Sequence, residues 1–215
     1  MKFSLIEPYA PMFVGGLAVT CKVTAAALLL AFVAGFAIAV LKVIPCKPLR
    51  LLLDFYTSIF RGVPLIVLLF IAYFATPQLT GYKITMFTAS VLTLGLNGSA
   101  TVSETGRGGI EGVDRGQYDA SRALGLSYIT MMSKVIIPQA LRSVAPALVN
   151  EVITVLKSSS LVATIGLMDM MRAAQSVQAI TYRAFEPFIV VAIVYYVIVM
   201  ALVAVANRLE RRMRA

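Results

Sequence analysis

Five long apolar runs, at residues 13–43, 51–75, 84–101, 143–161 and 188–207, constrain this chain more than any other feature. Each approaches or exceeds the roughly 20 residues that a helix needs to cross the hydrocarbon core of a bilayer. Lipid offers no partner for open backbone groups, so runs of this kind fold as helices. The expected architecture is all-α and integral to a membrane, with about five transmembrane helices. Hydrophobic residues make up 60% of the 215, against 13% charged, above the roughly 45–50% apolar content of an ordinary soluble domain. Five spans and their loops leave no room for a second, soluble unit, so residues 1–215 read as one domain. The first run is longer than the core requires and is interrupted by Lys22, which places its early part at or beyond the outer interface.

A formal charge of +9 raises the question of a polyanionic partner, but the basic residues gather between the apolar runs and not on one soluble face. That distribution is the one that sets orientation in a bilayer, and nucleic acid is not needed to explain it. Lys42, Lys47, Arg50, Arg107, Arg115, Arg122, Lys134, Arg142, Arg208, Arg211, Arg212 and Arg214 fall on one side. Lys2, Lys22, Lys83, Arg172 and Arg183 fall on the other. The tally predicts an amino terminus outside and a carboxyl terminus in the cytoplasm. Lys2 and Glu7 precede Pro8 and Pro11 without the pattern of a removable signal, so the first span reads as retained. There is no histidine, and Cys21 and Cys46 form neither a zinc spacing nor a disulfide framework.

The connection at about 107–142, on the predicted cytoplasmic side, is much the longest between spans. It is rich in glycine and carries both signs of charge. Residues 118–126 read as a short helix, with Asp119 near its start and Gly125 at its end. Lying flat on the membrane surface is one use for such a helix, and docking a partner is another.

The residues of this loop resemble a known signature. Gly116-Gln117-Tyr118-Asp119-Ala120-Ser121-Arg122-Ala123-Leu124-Gly125-Leu126-Ser127, followed by Ile136-Ile137-Pro138-Gln139-Ala140-Leu141-Arg142, is similar to the EAA loop of ABC importer permeases. It most resembles the polar amino acid uptake subfamily, with its GQxEAAxALGLS and ILPQALR. Arg61-Gly62-Val63-Pro64-Leu65, Arg107-Gly108-Gly109-Ile110, Asn150-Glu151 and Lys157-Ser158-Ser159-Ser160-Leu161 match further motifs of that subfamily in the expected order. The resemblance covers about residues 61–170. Asp119 stands where the family usually has glutamate and Ser121 where it usually has its second alanine; charge sign and small size are kept.

The resemblance implies a type I importer permease of the bacterial inner membrane that carries a polar amino acid. It implies that ATP and magnesium are bound by a separate ATPase pair, with no cofactor in this chain. It further implies a second permease subunit, identical or not, and an extracytoplasmic solute-binding protein. Tyr118, Asp119, Ala120, Ser121, Ala123, Leu124, Gly125 and Leu126 then contact the ATPase, and Pro138 marks the return towards the fourth span. The sequence agrees in lacking a GxxxxGK[ST] phosphate loop.

Polar residues inside apolar runs are the candidates for solute contact. Glu151, near the middle of the fourth run, leads them, because a carboxylate there is costly unless it meets a partner or a wet cavity. It complements a cationic amino acid such as arginine, lysine or histidine, or it pairs internally with Arg61 or Lys157. Asn97 beside Gly95 and Gly98 serves a ligand or bonds between helices. Arg61 binds a carboxylate at a helix break or pairs with Glu151, and Ser158 and Asp169 either line the same site or sit in exposed loop. Glutamine or glutamate is the alternative cargo. An ion-coupled secondary transporter, with a proton on Glu151, is the rival class; inverted repeats would mark it, and none is visible. Catalysis by this chain is not expected, since no paired-carboxylate or nucleophile-base spacing appears.

Overall fold

The computed structural model describes Ser4 and residues 6–214, with side chains as far as residue 208. Lys2 and the side chains of Arg211, Arg212 and Arg214, which enter the orientation tally, lie outside the described residues. The described residues contain helices and turns and no strand. In chain order the helices are α1 (Ala10–Lys42), α2 (Lys47–Gly62), α3 (Leu65–Phe70), α4 (Thr76–Thr80), α5 (Met86–Glu111), α6 (Arg115–Ala123), α7 (Tyr128–Met131), α8 (Ile137–Ser158), α9 (Met170–Thr181) and α10 (Phe185–Arg214). Single π turns, Ile71–Ala75 and Met132–Ile136, join α3 to α4 and α7 to α8, and a 3-10 segment, Ser159–Ile165, follows α8. Pro77 and Pro138 each lie two residues beyond a π turn, where a missing N–H already breaks the i to i+4 pattern.

Among the described residues, three helical stretches are long and apolar enough to cross a membrane: Glu7–Lys42, Tyr128–Ile165 and Phe185–Arg208. The bent pair Lys47–Gly62 and Leu65–Thr80 counts as a fourth if taken as one span. The third predicted run lies in α5, which has the length at 26 residues but not the apolarity. Gly95, Gly98, Ser99 and Ser103 explain this, for they are buried against protein and need no lipid-soluble side chain. α1 runs unbroken through Lys22, which is exposed.

Small residues bring α1 and α5 together. A Cβ on Gly35 would lie 2.6 Å from the Val102 Cβ, and one on Gly98 would lie 2.9 Å from the Ala31 Cβ. One on Gly106 would lie 2.9 Å from the Ala39 Cβ. Helices that approach this closely gain dispersion contact without a hydrophobic drive. Gly109 does the same for α8, where a Cβ would fall 2.5 Å from the Val144 Cγ1. α5 is thus the central element, with α1 and α8 on its small-residue faces.

The second run does not form one straight span. α2 ends at Gly62, and the next helix leaves at 103° to it. Pro64 has no N–H to offer the Phe60 carbonyl four residues earlier, so the helix cannot continue through it. Val63 is extended and Pro64 opens α3. The orphaned Phe60 carbonyl accepts a hydrogen bond from Asn97 Nδ2 of α5 at 2.5 Å.

Candidate functional site

Asn97 ties the α2 break to α5, and Glu151 of α8 faces the next residue of α5, Gly98. Glu151 is 9% exposed, and its Oε1 lies 3.4 Å from where a Gly98 Cβ would sit. Glycine at 98 is required by Ala31 of α1, and the carboxylate lies in contact range of the same position. Glu151 makes no hydrogen bond or ion pair among the described residues; neither Arg61 nor Lys157 pairs with it. Asn97 spends its amide on the Phe60 carbonyl, and Arg61, the next residue along α2, is exposed. Ser158, half-buried at the end of α8, follows Glu151 by seven residues, about two turns, and so lies on the same helix face.

Asp169 is placed differently. It is fully buried as the N-cap of α9, with Oδ1 accepting the Arg172 N–H at 2.8 Å and Oδ2 unpartnered among the described residues. A Cβ on Gly16 of α1 would lie 2.7 Å from the Asp169 carbonyl oxygen, and Thr20 Oγ1 accepts the Met170 N–H at 3.2 Å. Asp169 lies outside the spanning helices. Burial pushes its carboxyl up from 3.8 to about 6, even though backbone N–H groups pull the other way.

In the long connection, α5 runs on to Glu111, so Arg107, Gly108 and Gly109 are helical. The short helix starts earlier than its sequence predicts: Asp114 is the N-cap, its Oδ1 accepting the Gly116 N–H at 2.7 Å, and the helix ends at Ala123. Asp119 is accordingly mid-helix, strongly exposed, with only a 3.9 Å pairing to Arg122. Gly125 has φ of 71°, the left-handed turn expected after the helix. Tyr118 faces inward, its hydroxyl donating to the Ile110 carbonyl at 2.8 Å, and Ser121 is buried. Ala120, Ala123 and Leu124 are exposed, Leu124 to 78%. A crevice of about 650 Å³ between Glu111, Val113, Arg115, Tyr118, Asp119 and Arg122 adjoins this face. Leu126 is half-buried, and Pro138 sits exposed in the first turn of α8.

One cluster escapes sequence reasoning. Lys42, counted above as an interfacial charge, is fully buried. Its ammonium contacts Asp54 at 2.8 Å, Glu104 at 2.5 Å and the Thr57 hydroxyl at 2.8 Å. Arg107 bridges Glu104 at 2.7 Å and Glu111 at 2.6 Å. The signal was present only as i, i+3 and i+7 spacing of Glu104, Arg107 and Glu111 on one face. Nothing local points from Lys42 to residues 12 and 62 positions away.

Long apolar helices packed around a small-residue α5 make this a polytopic membrane protein. The chain belongs to the family of binding-protein-dependent transport system inner membrane components, which matches residues 22–215. It is 40% identical over 215 residues to the arginine transport system permease protein ArtQ of Bacillus subtilis, covering 100% of this chain and 98% of that one. It is 41% identical over 213 residues to a putative glutamine transport system permease protein of Rickettsia bellii, covering 99% and 96%. A solved chain described as an amino acid ABC transporter with histidines superposes with a TM-score of 0.93 at 40% identity, covering 99% of each. An inward-facing MetNI methionine ABC transporter shares the fold at 22% identity, with a TM-score of 0.82 over 96% of this chain and 98% of that one.

Proposed function

We propose that this chain is the permease of an ATP-binding-cassette importer whose cargo is a cationic amino acid. The relatives and the solved transporter named above, which span the whole chain, support amino acid import. The observation that carries the cationic reading is Glu151: a buried carboxylate with no partner among the described residues, on α8 where it faces Gly98 of α5. Such a group is costly in a membrane protein until a cation meets it, and charge-assisted hydrogen bonds to a side-chain cation or α-ammonium relieve that cost. Exposed Arg61 beside the break offers a bidentate donor for the solute carboxylate, and Ser158 supplies a hydroxyl two turns from Glu151. Asn97 holds the break open, and Asp169 holds α9 against α1.

The chain supplies no ATP chemistry. In this reading α6 docks on a partner ATPase pair that binds ATP and magnesium, through its exposed face from Asp119 to Leu124. Two permeases, identical or not, enclose the pathway in a bacterial inner membrane, with α6 cytoplasmic and the amino terminus outside. A solute-binding protein delivers the amino acid from the outer side. Closure of the ATPase pair shifts α6 and the helices packed on it as a rigid body.

Glu151→Gln tests the cargo. In vesicles carrying the whole transporter, arginine uptake falls about tenfold or more relative to glutamine uptake, because hydrogen bonds to charged groups carry about 1.5–3 kcal/mol. Equal losses for both contradict a charge-reading role. A wild-type transporter that moves glutamine and not arginine establishes the alternative cargo.

A further inference from the structure

Buried ion clusters add little net stability, so a fully buried lysine with two carboxylates calls for another explanation. An ammonium has three N–H donors, and Lys42 uses all of them on Asp54, Glu104 and Thr57. Two of those acceptors belong to α2 and one to α5, while Lys42 ends α1. α2 has little else to hold it. Thr57 is its only buried residue, and Leu51, Leu52 and Phe55 point away from the chain. Its other ties to α5 are also polar: the Tyr56 hydroxyl contacts the Leu96 carbonyl at 2.9 Å and Ser99 Oγ at 2.6 Å, and the Phe60 carbonyl takes Asn97. α2 is therefore latched to α5 by directional bonds and not by an apolar interface.

The same end of α5 is tied to α6. Tyr118 donates to the Ile110 carbonyl, and Ile110 packs with Met131, Met132 and Ile136 in a cluster that Tyr118 and Val43 flank. The far end of α2 is the 103° break, whose Phe60 carbonyl is held by Asn97, one residue before the Gly98 that faces Glu151. We infer that Lys42 is a positioning residue for transport: it makes α2 follow the packed α1 and α5 when α6 moves, so that displacement at the loop reaches the helix break that Asn97 holds. This rests on the reading of α6 as the ATPase-docking helix. α2 carries the latch at one end and the break at the other, and Lys42 is the only fully buried charge joining it to α1 and α5 among the described residues.

The test uses the complete transporter in proteoliposomes, with its ATPase and binding protein, and reads solute taken up per ATP hydrolysed. Lys42→Met keeps ATPase assembly and hydrolysis in the absence of solute, and lowers uptake per ATP about tenfold, within the range of allosteric coupling. Lys42→Arg, which keeps charge and donors, retains most of the wild-type ratio; loss of packing alone would not be rescued this way. A wild-type ratio in Lys42→Met overturns the inference. Should Lys42→Met fail to assemble, Glu104→Gln and Thr57→Val each remove one arm and carry the same two outcomes. Cross-linking of Ala120→Cys to the ATPase reports separately on docking: its failure in an otherwise wild-type transporter removes the docking reading, whatever Lys42 does.

Discussion

At the scale of single residues, Asn97 and Asp169 show how polar groups at a helix junction divide between structure and chemistry. Asn97 answers the carbonyl that Pro64 leaves unpaired, so Asn97→Leu strips a half-buried acceptor of its donor. We expect a loss of about 1–3 kcal/mol, seen as a lower unfolding midpoint of the purified transporter; an unchanged midpoint contradicts the assignment. Asp169 makes a pH prediction. Its carboxyl titrates at about 6 in the fold against 3.8 ordinarily, so between these values the folded chain binds more protons than the unfolded one. Stability therefore falls as pH rises from about 4 to about 6 and is level below that window. Asp169→Asn keeps the acceptor for the Arg172 N–H and removes the titration, so the fall disappears; a variant with the wild-type slope shows that Asp169 is not its source.

At the scale of elements, α6 is where sequence and structure differ most usefully. Asp119 reads in the sequence as a residue near the helix start, but Asp114 takes that place as the cap and leaves Asp119 exposed in mid-helix with a long-range pairing to Arg122. Such a surface pair contributes about 0–1 kcal/mol. Asp119→Lys should therefore leave thermal unfolding of the permease unchanged while reducing ATPase-dependent uptake. Unchanged assembly and coupling in that variant would contradict docking through this face. The broken second span was only half legible. The Gly62 and Pro64 of its motif mark a break, but the group that replaces the lost N–H is on Asn97, 37 residues away. α5 was legible as a helix by position, yet its apolarity is diluted by small residues whose purpose, contact with α1 and α8, exists only in the packed chain.

At the scale of the whole molecule, hydropathy and motif order made the architecture readable because lipid leaves the backbone so few choices. Glu151 and Asn97 were readable as polar groups within the helices, since they interrupt apolar runs. The Lys42 cluster was not, because a basic residue at the end of a span satisfies the orientation rule whether it faces water or carboxylates. The chain is a membrane permease, and docking at α6 and solute contact at Glu151 are the proposed parts of its action. The most direct measurement is uptake of labelled arginine into proteoliposomes that hold the permease with its ATPase and binding protein. The account predicts accumulation only when ATP is supplied on the α6 side and the ATPase subunit is present. Accumulation by the permease alone, driven by an ion gradient without any ATPase, would contradict it.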